Sequence, residues 1–145
     1  MKKAIILSLL VSVTWSSLSS AGVYTDDLTK CIVAKTSPDD RITLVKWVFI
    51  AMSRHPAVAS MTKVTESDTA TANEAAAALF TNLMTVNCAD ATRSAMKYEG
   101  VAAIQSAFSV LGQVAMGDLM SDPGVGSVLA QLEKYIDPSK FESLK

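Results

Sequence analysis

One histidine, His55, and two cysteines, Cys31 and Cys88, are the scarcest reactive side chains in this 145-residue chain. With a single imidazole available, any serine or cysteine nucleophile paired with histidine must run through His55. Its surroundings read differently. Arg54 and His55 stand in the last turn of an expected helix, where positive charge favours the dipole, and Pro56 follows. Asp39 and Asp40 read as charge at a helix start rather than as acid and base, because adjacent helical side chains diverge by about 100°. Two lone thiols without a CxxC pair, beside one histidine, fall short of a zinc set, so Cys31 and Cys88 are expected to bridge each other. The enclosed loop, 88 minus 31 or 57 residues, corresponds to about 4 kcal/mol of stabilisation in the chain-entropy picture. Met52, Met61, Met84, Met96, Met116 and Met120 are dispersed, whereas a copper site favours methionine clustered with histidine. They are expected to fill the core, with lining of a pliable apolar groove as the alternative. The chain contains no HExxH, GxSxG, P-loop, glycine-rich dinucleotide turn, EF-hand loop or CxxCH. No catalytic, metal-binding or cofactor-binding residue is therefore assigned.

The element that would position most of these residues is a long helix over Pro38 to Arg54. Ser37 can cap it, Pro38 suits its first position, and Asp39 and Asp40 favour its positive end. Pro56 disfavours helical geometry at His55 and stops it. Leu44, Val45, Val48, Phe49, Ala51 and Met52 make a broad apolar arc with Ile42 and Trp47 at its edges, so this helix is expected to lie mostly buried at the centre. Ile50 breaks the pattern by pointing into the polar strip opposite. Trp47, Ile50, Arg54 and His55 together form the candidate interaction surface.

Before this helix, Lys2 and Lys3 precede an apolar run from Ala4 to Trp15, and Ser19 and Ala21 place small residues where a signal peptidase reads them. Residues 1–21 are expected to be a cleaved signal peptide, since the run is shorter than the roughly 20 residues that span a bilayer. No cysteine follows the cleavage point, as a lipoprotein would require, and no later run is long and apolar enough to span. Removal of 21 residues from 145 leaves 124, a typical single domain, and an oxidising destination, periplasmic or extracellular, suits a disulfide. The mature charge of −3, from 11 basic and 14 acidic residues, is scattered in both signs and offers no basic face for nucleic acid.

The remaining helices follow from capping and periodicity. Thr25 is expected to cap a first helix in which Leu28, Cys31 and Ile32 share a face. Thr65 or Ser67 can cap another, with a stripe of Ala72, Ala76, Leu79, Phe80, Leu83 and Val86. A short helix starts at Asp90, and Gly100 interrupts it. The next is apolar on two sides: Ile104, Phe108, Leu111 and Ala115 on one, Ala103, Ala107, Val110 and Val114 on the other. After the break at Asp122 to Gly126, Val125, Val128, Leu129, Leu132 and Ile136 suggest a last amphipathic helix. Two-residue alternation is absent. The fold expected is all-α, a single compact domain of about five to six helices over residues 22–145, packed around Pro38 to Arg54 and carrying one disulfide.

The run CIVAKTSPDDRITLVKW, followed by SRHP, resembles a segment of small exported bacterial proteins of uncharacterised function. The resemblance covers Cys31 to Pro56 and implies export; it carries no active site. The function expected is a non-catalytic exported helical module that binds an unknown protein or a small apolar ligand through a groove or patch. The alternative is a small hydrolase with His55 as base. Convergent polar groups around His55 would favour the enzyme, and an apolar cleft without them would favour binding. A monomer is expected ahead of a weak homodimer, whose contacts would be Trp47 and Ile50 or the small residues Ala103, Ala107 and Gly117.

Overall fold

A computed structural model describes residues 22–144, so the expected signal peptide over residues 1–21 lies outside the described residues. Helix start signals in the sequence operate as hydrogen bonds. Ser37 accepts from the Asp40 amide while Asp40 accepts from Ser37, which closes a capping box at the start of α2, Pro38–Ser53. Thr65 and Asp68 do the same for α4, Glu66–Asn82. These two hydrogen bonds from Thr65, hydroxyl first and then backbone, hold the Asp68 carboxyl below its ordinary value. Between them a one-turn α3, Pro56–Ala59, follows the stop at Pro56. The other helices are α1, Val23–Lys35; α5, Ala89–Tyr98; α6, Val101–Met120; and α7, Pro123–Ala130. Two 3-10 segments, Gln131–Tyr135 and Pro138–Leu144, finish the chain, and no strand occurs among the described residues.

The core forms where α1 lies against α6 and α5. Leu28 and Ile32 of α1 and Ala107 and Leu111 of α6 are fully inaccessible, and Ala95 of α5 joins them. Alanine at positions 95, 103 and 107 lets the backbones approach closely, and each buried leucine or isoleucine contributes about 1.5 to 3 kcal/mol. Leu79, Leu83 and Cys88 close the cluster from the α4 side, and Leu44 is what α2 supplies.

Both ends of α1 are tied down. Its N-cap is Gly22, not Thr25 as the sequence suggests. Thr25 is instead buried in the first turn, because Glu99 reaches over from the end of α5 and does the capping. The Glu99 carboxylate accepts from the amides of Tyr24 and Thr25 at 3.0 and 2.9 Å and from the Thr25 hydroxyl at 2.5 Å. The Thr25 hydroxyl, foremost, holds the Glu99 carboxyl below its ordinary value. Gly22 presses so closely on this carboxylate that a Cβ there has no room. At the other end Cys31 is bonded to Cys88, with Cα atoms 5.9 Å apart. Gly100, at φ 76°, makes the turn from α5 into α6 that a residue with a side chain would resist.

Cys88 reaches the core through a π-helical stretch, Leu83–Asn87, that continues α4. The Cys88 amide donates to the Leu83 carbonyl at 2.8 Å, five residues back, so the helix widens by one residue. That extra residue rotates Val86 out into solvent and brings Cys88 inward, which is why Val86 leaves the stripe assigned to it. α2 also departs from expectation. It packs on α4 and α6 rather than lying mostly buried at the centre, and of its apolar arc Leu44 alone is buried. The deepest element of the domain is α6, because its small-residue face accepts α1 at close range. The last expected amphipathic helix breaks at Gln131, and its stripe stays exposed.

Candidate functional site

The residues of α2 divide into two faces with different fates. Thr43, Trp47 and Ile50 turn toward α4, and Lys46 stands at the border of the two faces. Trp47 donates from Nε1 to Asn73 Oδ1 at 3.0 Å and meets the Phe80 ring edge-on, and Phe80 meets Phe108 of α6 in the same way. Ile50 is half-buried beside Thr71, Ala72 and Ala75 in a hollow of about 320 Å³ with Asp68 at its edge. The polar strip into which Ile50 points is thus a helix contact rather than open water.

Arg54 and His55 serve the turn after α2. Arg54 donates to the Thr65 carbonyl at 3.1 Å and the Thr69 hydroxyl at 2.5 Å, and pairs with Glu66 at 3.2 Å, fastening the connection to α4. His55 is exposed, and its Nδ1 accepts from the Ala57 amide at 3.2 Å, capping α3. Among the described residues no serine or carboxylate stands at hydrogen-bond distance from that ring. The four residues Trp47, Ile50, Arg54 and His55 therefore do not share one open surface: the first three engage α4, and His55 holds a turn. Cys31 and Cys88, by contrast, are brought together as the sequence indicates.

The opposite face of α2 carries the concave site. Val45, Val48, Phe49 and Met52 oppose Gly112, Ala115, Met116 and Leu119 of α6 across an open groove of about 400 Å³, with Lys46 the charged residue among those lining it. Val45, Lys46, Ala115 and Leu119 also line a second hollow of about 420 Å³, which runs on to Pro38, Arg41, Asp118 and Asp122. The two form one trough between antiparallel helices. Its polar end is closed by the ion pair of Arg41 Nε with Asp118, and Arg41 also donates to the Thr36 carbonyl at 2.9 Å. The trough stays open because Gly112 projects no side chain into it; a Cβ there would meet nothing within 4 Å. Phe49 remains 56% and Met52 63% exposed along it.

Sequence periodicity indicates the apolar arc of α2 but not that it stays open, and Gly112 and Met116 fall between the two stripes of α6. The available signal is a surplus: α2 and α6 together carry more apolar surface than one core can absorb. Among the described residues no group of three or more histidine, cysteine, aspartate or glutamate side chains could hold a metal ion, and no helix is long and apolar enough to cross a membrane. No family model, curated protein or solved structure matches the chain.

Proposed function

We propose that this chain is an exported, non-catalytic binding module that receives an apolar partner surface or ligand in the trough between α2 and α6. The observation that carries the reading is the continuous apolar lining of the trough beside side chains as exposed as Phe49 and Met52. Contiguous apolar surface of this kind costs free energy in water and marks interaction sites. Met52 and Met116 suit it, since an unbranched thioether adapts to a surface of variable shape. The Cys31 to Cys88 bond supports an oxidising compartment and hence export.

Titration with an environment-sensitive apolar dye tests the reading. At a dilution that keeps the protein monomeric, the native chain should enhance the dye's fluorescence, and Gly112→Leu, which places an isobutyl group in open space inside the trough, should abolish most of that signal while the far-UV helical spectrum persists. Equal dye binding by the two proteins would remove the trough from the function.

A further inference from the structure

The trough is not the sole unpartnered apolar surface. Beyond Asp122 the chain carries Val128, Leu129, Leu132, Tyr135, Ile136 and Phe141, all exposed, with Leu132 at 64% and Tyr135 at 84%. Among the described residues this tail touches the body of the domain only where α7 leaves α6. Two apolar surfaces of one chain, both open to water, are a matched pair if their sizes and charges agree.

They agree on three counts. The trough runs along α6 from Gly112 to Leu119, about 10 Å at 1.5 Å per residue, and on past its end to Asp122, and α7 with the 3-10 turn that follows it is long enough to line that distance. Arg41 and Asp118 neutralise each other along the trough and Asp122 is taken up as a cap, which leaves Lys46 as the lining charge without an ion-pair partner among the described residues; the tail places Glu133, followed by Lys134, directly after Leu132 in its apolar stripe. If two copies exchange Pro123–Tyr135, each side contributes those 13 residues and the 15 that line the trough, within the about 20 to 30 residues a side of a stable interface.

The tail is poorly placed to enter the trough of its own chain. Asp122 accepts from the amides of Gly124 and Val125 at 2.8 and 3.1 Å, and Pro123 fixes the first helical φ, so the direction in which α7 departs is set by its cap. Asp122 is itself the end wall of the trough, and turning α7 back over that wall would break the cap. A second copy meets no such obstacle.

We infer that the occupant of the α2 and α6 trough is the C-terminal segment of a second copy of this chain, exchanged reciprocally across a two-fold axis. The inference rests on the trough being a binding surface and names its partner. It also reverses the expected preference for a monomer, through surfaces other than the Trp47 and Ile50 edge or the small residues Ala103, Ala107 and Gly117.

Sedimentation of the mature full chain at rising concentration, with two variants, tests it. Gly112→Leu blocks the trough and leaves the tail intact; Leu129→Asp spoils the tail at an exposed position and leaves the trough intact. The native chain should reach twice the monomer mass, each variant alone should stay at the monomer mass, and an equimolar mixture of the two should recover dimer through the one good pairing. A native chain that stays monomeric, a dimer that both variants preserve, or a mixture that remains monomeric would overturn the exchange. Dye titration of Leu129→Asp separates this failure from that of the trough itself: dye bound there with no dimer in the native chain sinks the exchange alone, whereas no dye bound sinks the trough as well.

Discussion

α6 packs against two helices and treats them differently. Toward α1 it is sealed: Ala103, Ala107 and Leu111 meet Leu28 and Ile32 with none of the five more than 2% exposed. Toward α2 it stands open along the trough. Residue size and fastening account for the contrast. The α1 side offers alanine to a helix clamped at one end by Glu99 and at the other by the disulfide. The α2 side has the Arg41 and Asp118 pair at one end and the Trp47 to Asn73 hydrogen bond on the far face, neither of which draws the helices together along their length. Apolar residues on both sides of a helix therefore do not ensure burial on both sides; the neighbour must also be held close.

The largest test of this contrast is removal of the fastening on the sealed side. A Cys31→Ser, Cys88→Ser double variant should lose about 4 kcal/mol, through freedom gained by the unfolded 57-residue loop. Chemical denaturation with and without reductant measures it, and a variant as stable as the native chain would show that the clamp is idle. Next in size, Leu111→Ala should cost about 3 kcal/mol because it empties a fully inaccessible site, while Phe49→Ser across the same helix pair should cost less than about 0.5 kcal/mol. Comparable losses at the two positions would erase the distinction between the sides. Gly112→Leu should raise stability by about 0.5 to 1 kcal/mol, since it replaces an exposed mid-helix glycine with nothing in its way. A thermal midpoint below that of the native chain would mean that the trough walls lie closer than described.

The smallest effect concerns acid. The Glu99 carboxyl is lowered from an ordinary value of 4.5, so its ionised form favours the folded state. The stabilisation from the clamp on α1 is complete above that ordinary value and is lost as pH falls through the lowered one. Asp68, lowered from 3.8, acts with the same sign at α4. Melting curves taken from neutral pH downward should flatten in Glu99→Gln relative to the native chain, and Asp68→Asn reports the α4 share separately. Gly22→Ala should resemble Glu99→Gln near neutral pH, because the added methyl must displace that carboxylate. An unchanged acid profile in Glu99→Gln would sink this account of the clamp.

Much of this architecture is legible in the sequence because it rests on local chemistry. Ser37 caps its helix as the sequence indicates, Thr65 rather than Ser67 caps α4, and Asp122, which reads as part of a break, turns out to cap α7. The all-α fold and the bond between Cys31 and Cys88 follow likewise from periodicity and from pairing. What escapes is non-local. Thr25 looks like a cap, and only the approach of Glu99, 74 residues away, converts it into a buried ligand of that carboxylate. Val86 fits the stripe until the π-helical turn, which carries no composition signature, rotates it outward. The trough escapes for the same reason: the arc of α2 has the pattern of a buried face, and its exposure depends on the small residues, Gly112 and Ala115, that α6 sets opposite it.

The disulfide also decides what a broken backbone would mean for this molecule. The connection between α3 and α4 contains Lys63, exposed and outside any helix, and it lies inside the loop that Cys31 and Cys88 close. A protease that recognises lysine and cuts there severs α1, α2 and α3 from the rest of the chain in sequence but not in covalent structure. The nicked protein would migrate as one species until reductant is added and only then fall into two fragments, so for this domain an intact band without reductant is no measure of an uncut chain.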